Sequence, residues 1–167
     1  MKKTALIIVD LQNEYLVTGK LPLTGIEEAA VNAARVLDWA RQKKMPIFHI
    51  RHEFTDSNAP FFVPDSDGVK IQKNVAPKEG EPVITKHHIN AFRETNLQQQ
   101  LAANDVEALV IVGAMSHMCV DAVVRAAVDM GYSTTVLHDA CATLDLSFNG
   151  VSVPAAHVHA TMMAAFA

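Results

Sequence analysis

Ala5-Leu6-Ile7-Ile8-Val9-Asp10 is an unbroken apolar run that stops on a carboxylate, and its reading decides the fold. A strand with one face in water alternates apolar and polar residues, whereas a strand covered by helices on both faces has no reason to. Four more short segments, Pro46–Ile50, Pro82–Thr85, Ala108–Val112 and Thr134–His138, read as strands, most of them without alternation. Between the runs the apolar spacing changes to the helical period, at Ile26, Ala29, Ala30, Ala33, Leu37 and Ala40, and again at Val120, Val123, Val124, Ala127 and Met130. Thr24 with Glu27 three residues on predicts a capping box for the first helix, and Gly131 a left-handed stop for the second. Pro154 opens a last helix with Ala155, Val158, Met162 and Phe166 at helical spacing. Alternating strands and helices with right-handed crossovers predict an α/β fold: three layers, with an open, mostly parallel, doubly wound sheet, as one domain over residues 1–167. Ligands in such sheets bind beyond the carboxyl ends of the strands.

The composition is that of a globular chain. Half of the 167 residues are hydrophobic, 19% are charged, and 14 basic against 18 acidic side chains leave a net charge of −4. That length suits one core. No basic stripe with interleaved aromatics is present, so no nucleic-acid partner is expected. The opening apolar run is too short for a signal peptide or a membrane span, so no membrane partner is expected and the cytoplasm is the expected location. Cys119 and Cys141 then read as free thiols rather than a bridge.

Three side chains stand at strand ends: Asp10 after the first strand, Lys86 after the third, and Cys119 just past the fourth, where a helix begins. Singly each has an ordinary structural explanation. Together they have a chemical logic. A helix N-terminus and a nearby ammonium lower a thiol pKa, which predicts a nucleophilic Cys119. Asp10 would shuttle its proton and Lys86 would hold the carboxylate and offset its charge. Backbone NH groups in the turn Gly113-Ala114-Met115-Ser116-His117-Met118-Cys119 would face a developing oxyanion. The set suits hydrolysis of a small-molecule amide or carbamoyl group. The long stretch Arg51–Glu81, with Phe54, Phe61 and Phe62, is expected to wall the pocket. Gln12, Tyr15, Phe92 and His117 are candidate substrate contacts. Core packing explains the aromatics as well, and Gln12 also suits local hydrogen bonding. Cys141 reads as structural.

Val9-Asp10-Leu11-Gln12-Asn13, Ile84-Thr85-Lys86 with Asn90-Ala91-Phe92, Val112 to Val120, and Asp139-Ala140-Cys141-Ala142 resemble, in order and spacing, the isochorismatase-like cysteine hydrolases. The resemblance covers nearly the whole chain. It implies an Asp-Lys-Cys triad at Asp10, Lys86 and Cys119, and a covalent intermediate resolved by water. It further implies a non-proline cis peptide between Ala114 and Met115, with the NH groups of Met115 and Cys119 as the oxyanion hole. Nicotinamidases of that superfamily carry an Asp-x-His metal motif after the second strand. This chain has His49-Ile50-Arg51-His52-Glu53 there. No metal and no cofactor is therefore expected, although His49, His52, His87 and His88 are possible zinc donors by type. The resemblance also implies a further strand beyond the last helix. A chain that stops before it bares a sheet edge, and a homo-oligomer, dimer or tetramer, is expected.

Three competing functions have sequence tests. An isochorismatase proper would use Asp10 as an acid on a vinyl ether and leave Cys119 idle. A signalling receiver wants paired acids after the first strand, where this chain has Leu11 beside Asp10, and no phosphate-cradling glycine loop is present. A thiol redox sensor wants a CxxC or a nearby resolving cysteine, which is also missing.

Overall fold

The computed structural model describes residues 2–167. Five parallel strands form the sheet: β1 (Thr4–Val9), β2 (Ile47–His52), β3 (Val83–Lys86), β4 (Ala108–Ala114) and β5 (Ser133–Ala142), in the order β3-β2-β1-β4-β5. Residues along β1 alternate between two apolar layers. Ala5, Ile7 and Val9 join one, with α2 (Leu97–Ala103) and α3 (Asp121–Asp129) supplying Leu97, Leu101, Val123 and Ala127. Leu6 and Ile8 join the other, against Ala29, Ala33, Leu37 and Ala40 of α1 (Ile26–Gln42). Both faces of the strand are sealed, which is why its sequence does not alternate. The three-layer α/β fold read from the sequence is the fold that forms.

Local details differ from the sequence reading. Thr24 does not cap α1. It bridges to Thr143, and Gly25, in the left-handed region at φ +72°, takes the position before the helix. β5 runs four residues past His138, because a register shift between Ile111 and Gly113 lets Cys141 pair with Gly113 and Ala142 with Ala114. Helix α2 and a small antiparallel hairpin of β6 (Leu146–Phe148) and β7 (Val151–Val153) escaped the sequence reading. The hairpin leads through Pro154 into α4 (Ala155–Phe166), close to the expected span. Gly131 follows α3 with φ +90°, as read.

Strand order places the site. Connections leave β1 toward β2 on one side, while β4 lies on the other, so the carboxyl ends of β1 and β4 flank the point where the winding reverses. Asp10 follows β1, and the turn from Ser116 to Val120 follows β4. The two strands run in direct register from Thr4 opposite Ala108 to Val9 opposite Gly113. Gly113 is required there: it holds φ +129°, and a Cβ on it would lie 2.0 Å from the Val9 carbonyl oxygen.

Candidate active site

Parallel pairing of β2 with β3 sets His52 opposite Lys86. The side chains of Asp10 and Lys86 are both sealed from solvent. Asp10 leaves β1 in the left-handed region, φ +50°, a conformation Asp adopts more readily than most residues. The Lys86 ammonium meets four acceptors: Asp10 Oδ2 at 2.9 Å, His52 Nδ1 at 2.9 Å, the His88 carbonyl at 3.1 Å and Cys119 Sγ at 3.2 Å. An ammonium carries three hydrogens, so at any moment one contact is electrostatic only. Neither Asp10 oxygen receives a well-directed hydrogen bond, and the contact with Lys86 acts chiefly as an ion pair.

Burial dominates the electrostatics. It raises the Asp10 carboxyl above the ordinary carboxylate range, against the opposing pull of Lys86. It would lower Lys86, but attraction to Asp10 and Cys119 outweighs it and leaves the ammonium more firmly protonated than usual. The Cys119 thiol is pushed up to about 12 by burial and by the Asp10 charge, with Lys86 opposing. The sequence pointed to a lowered thiol pKa, and the structure corrects this. Loss of water around the sulfur exceeds what one shared ammonium returns.

Cys119 sits in a widened, π-type turn over Ser116–Val120, where the Met115 carbonyl accepts from the amides of Met118 and Val120. The Ala114–Met115 peptide is cis. Among the described residues the Met115 amide has no hydrogen-bond acceptor, and the Cys119 amide has none outside its own turn. The Met115 amide is therefore free to serve a ligand.

The sulfur opens onto a cavity of about 530 Å³ walled by Tyr15, Phe54, Phe61, Phe62, Met115 and Met118. Tyr15 and the three loop phenylalanines were expected near the site, and they form its aromatic wall. Phe62 meets the edges of Tyr15 and His52 at ring-centroid separations of 5.2 and 5.3 Å. Gln12, Phe92 and His117 do not line this cavity. Gln12 is a buried latch: it accepts from the His52 amide at 2.7 Å and donates to the carbonyls of His52 and Val69 at 2.8 Å each. Phe92 is a core residue stacked on Tyr132, and His117 bonds Thr143 Oγ1 at 2.6 Å.

The sequence reading missed Glu14. Its buried carboxylate accepts from the amides of Lys20 at 2.7 Å and Phe62 at 2.8 Å, and so clips the aromatic wall to the end of β1. Gly68 packs directly on this carboxylate; a Cβ there would stand 2.2 Å from Oε2. A carboxylate four positions after Asp10 and directly before Tyr15-Leu16-Val17 was the available signal. His52 was read as a possible zinc donor and not as a cavity residue.

The residues present do not fit a metal ion. His49 pairs with Glu81, His87 with the Glu53 carbonyl and His88 with Glu94. Among the described residues the convergent donors are Asp10, His52 and Cys119, within 4.8 Å of one another. The Lys86 ammonium touches all three, and a second cation there would be repelled by it.

A profile of the isochorismatase domain matches residues 4–165. The chain belongs to the isochorismatase family. An uncharacterized isochorismatase-family protein of Bacillus subtilis, YddQ, is 47% identical over 162 residues, covering 97% of this chain and 90% of that protein. A crystal structure of an isochorismatase-type hydrolase from Oleispira antarctica superposes with a TM-score of 0.96 at 54% identity, over 99% of this chain and 89% of that one. The N-carbamoylsarcosine amidase of an Arthrobacter species is 28% identical over 147 residues, covering 78% of this chain and 56% of the amidase. Isochorismatase-family proteins are hydrolases, and this chain is a hydrolase of that family.

Proposed function

We propose that this isochorismatase-family hydrolase cleaves the C–N bond of a small amide, ureido or carbamoyl compound through a covalent intermediate on Cys119, without a metal. The observation that carries the reading is the Lys86 ammonium standing between Asp10 Oδ2 and Cys119 Sγ, with Cys119 on the wall of a largely apolar cavity. The amidase name of one relative supports the bond type.

A thiol held near pKa 12 is not ionised at rest, so its proton must leave as the bond forms. Asp10 takes it, and Sγ attacks the carbonyl carbon. The charge of the site is conserved, since a carboxylate becomes an acid as the substrate oxygen becomes an anion beside the same ammonium. The amides of Met115 and Cys119 receive that oxyanion. On collapse of the adduct the C–N bond breaks, and Asp10 returns the proton to the departing nitrogen. Water, deprotonated by Asp10, then attacks the acyl-sulfur bond. Sγ leaves and recovers its proton from Asp10, and the acid product is free.

Intact-mass measurement after brief mixing with a panel of small amides tests this. A substrate-dependent acyl adduct that maps to Cys119 is the expected result, together with loss of turnover in Cys119→Ala. No amide turnover by the parent, with hydrolysis of a vinyl ether retained in Cys119→Ala, would instead favour a reaction with Asp10 as the acid, a reading favoured by the burial that keeps its carboxyl easier to protonate.

A further inference from the structure

His52 has no part in the steps above, yet it is the side chain best tied to them. It is 7% exposed, and that sliver belongs to the cavity wall. Its backbone is gripped at both ends by Gln12, and its ring is held edge-on by Phe54 and Phe62 at centroid separations of 4.9 and 5.3 Å. The ring cannot turn freely. Its Nδ1 lies 2.9 Å from Lys86 Nζ, and an ammonium has only hydrogens to offer. Nδ1 is therefore the acceptor, and the ring proton sits on Nε2. Burial, then the Lys86 charge, holds the ring pKa down to about 3, so this neutral tautomer persists through the physiological range.

Among the described residues Nε2 makes no well-directed hydrogen bond, the His88 carbonyl being a backbone oxygen that interacts with the ring, and His52 lines the cavity. The neighbouring His88 carbonyl already accepts from Lys86. Nε2–H is thus a donor of fixed direction in a largely apolar cavity whose other polar lining is His87, His88, Asn90 and Arg93. We propose that His52 is a specificity-determining residue that donates from Nε2 to a second acceptor of the substrate, placed two or three bonds from the scissile carbonyl carbon. The inference rests on Cys119 being the nucleophile.

The spacing follows from the site. A ring nitrogen of His52 lies within 4.8 Å of Cys119 Sγ, and Nε2 is either that atom or the one joined to it through Cε1. Attack needs the carbonyl carbon at about 3 to 3.5 Å from sulfur. A hydrogen bond from Nε2 spans about 2.9 Å. One small molecule meets both conditions only if its acceptor is close to the scissile group. Amides with a neighbouring carbonyl, carboxylate or ring nitrogen qualify; plain alkyl amides leave the donor against carbon and are selected against.

The test uses 3-oxobutanamide and 3-methylbutanamide, which match in length and branching but carry an oxygen or a methyl group at the same place. Calorimetric titration into the Cys119→Ala protein reads binding without turnover. The ketone amide is expected to bind at least about tenfold more tightly. In that background His52→Asn keeps an acceptor for Lys86 while its own N–H donors fall short of the Nε2 position, and it should erase the preference. His52→Gln carries an amide N–H to the position of Nε2 and should restore it, which a packing role would not explain. Equal affinities, binding of neither amide, or a preference that survives His52→Asn would overturn the inference. A preference in binding without any acyl adduct on intact Cys119 would sustain the His52 donor while removing the nucleophile reading.

Discussion

Lys86 and Asp10 form an ion pair at 2.9 Å with neither side chain touching solvent. The pair joins the carboxyl ends of β1 and β3 across β2, so charge and topology are fixed by the same contact. Removing one partner of a buried pair costs about 3 to 5 kcal/mol, because the other is left uncompensated. Lys86→Met is expected to lose about that much in urea denaturation at pH 7, and to reduce turnover at least about a hundredfold. The stability deficit should shrink as pH falls, since a protonated Asp10 needs no counter-charge. A deficit that does not change with pH would mean that packing and not charge is lost.

Cys119 alkylation has a defined pH signature. With the thiol pushed up to about 12, the rate with iodoacetamide should keep rising beyond pH 9 and show no plateau near neutrality. Cys141, pushed up to about 12 chiefly by burial, should show no plateau there either. Peptide mapping of the alkylated protein checks both. A Cys119 plateau below pH 8 would show a resting thiolate, as the sequence alone implied.

Gly113→Ala tests the register of β1 against β4. The added carbon would lie 2.0 Å from the Val9 carbonyl oxygen, at a φ of +129° that alanine does not adopt. The neighbour is backbone in the central strand and cannot swing aside. Loss of more than about 3 kcal/mol, or no soluble folded protein, is expected; a urea midpoint within error of the parent would show that the two strands separate easily.

His52 shapes the acid limb of stability. Its folded pKa of about 3 lies below the unfolded value near 6.5, so between these the unfolded chain binds a proton that the folded one refuses. Stability from this group is complete above the unfolded pKa and falls as pH drops through the window. The slope is about 1.4 kcal/mol per pH unit for one proton. His52→Asn should remove one proton's worth of slope between about pH 6 and 4 in a series of denaturation curves. His49, shifted the same way by burial, remains in both proteins and cancels in the comparison.

The fold was legible because it depends on repeated, local signals. Unalternating runs such as Ala5–Val9 and the helical spacing from Ile26 to Ala40 each report burial on known faces. The convergence of Asp10, Lys86 and Cys119 was legible because strand order brings strand ends together. What the sequence left hidden depends on contacts between distant segments. Gln12 looked like a pocket residue, since nothing local shows that its amide is taken by His52 and Val69. Phe92 looked like one too, until the stacking on Tyr132 placed it in the core. The thiol pKa was misjudged for the same reason. A helix start and a lysine can be read from neighbours in sequence, while the depth of burial that outweighs them cannot.

The clip between Glu14 and the Phe62 amide separates two kinds of inheritance in this molecule. Asp10 and Lys86 are placed by strand register and Cys119 by the turn after β4, and the Glu14 carboxylate helps to tie the aromatic wall beside them. Replacing Phe54 or Phe61 recasts the mould into which a substrate is pressed, while Asp10, Lys86 and Cys119 keep their stations. The cavity's shape can thereby change while the buried cluster beneath it stays as it is.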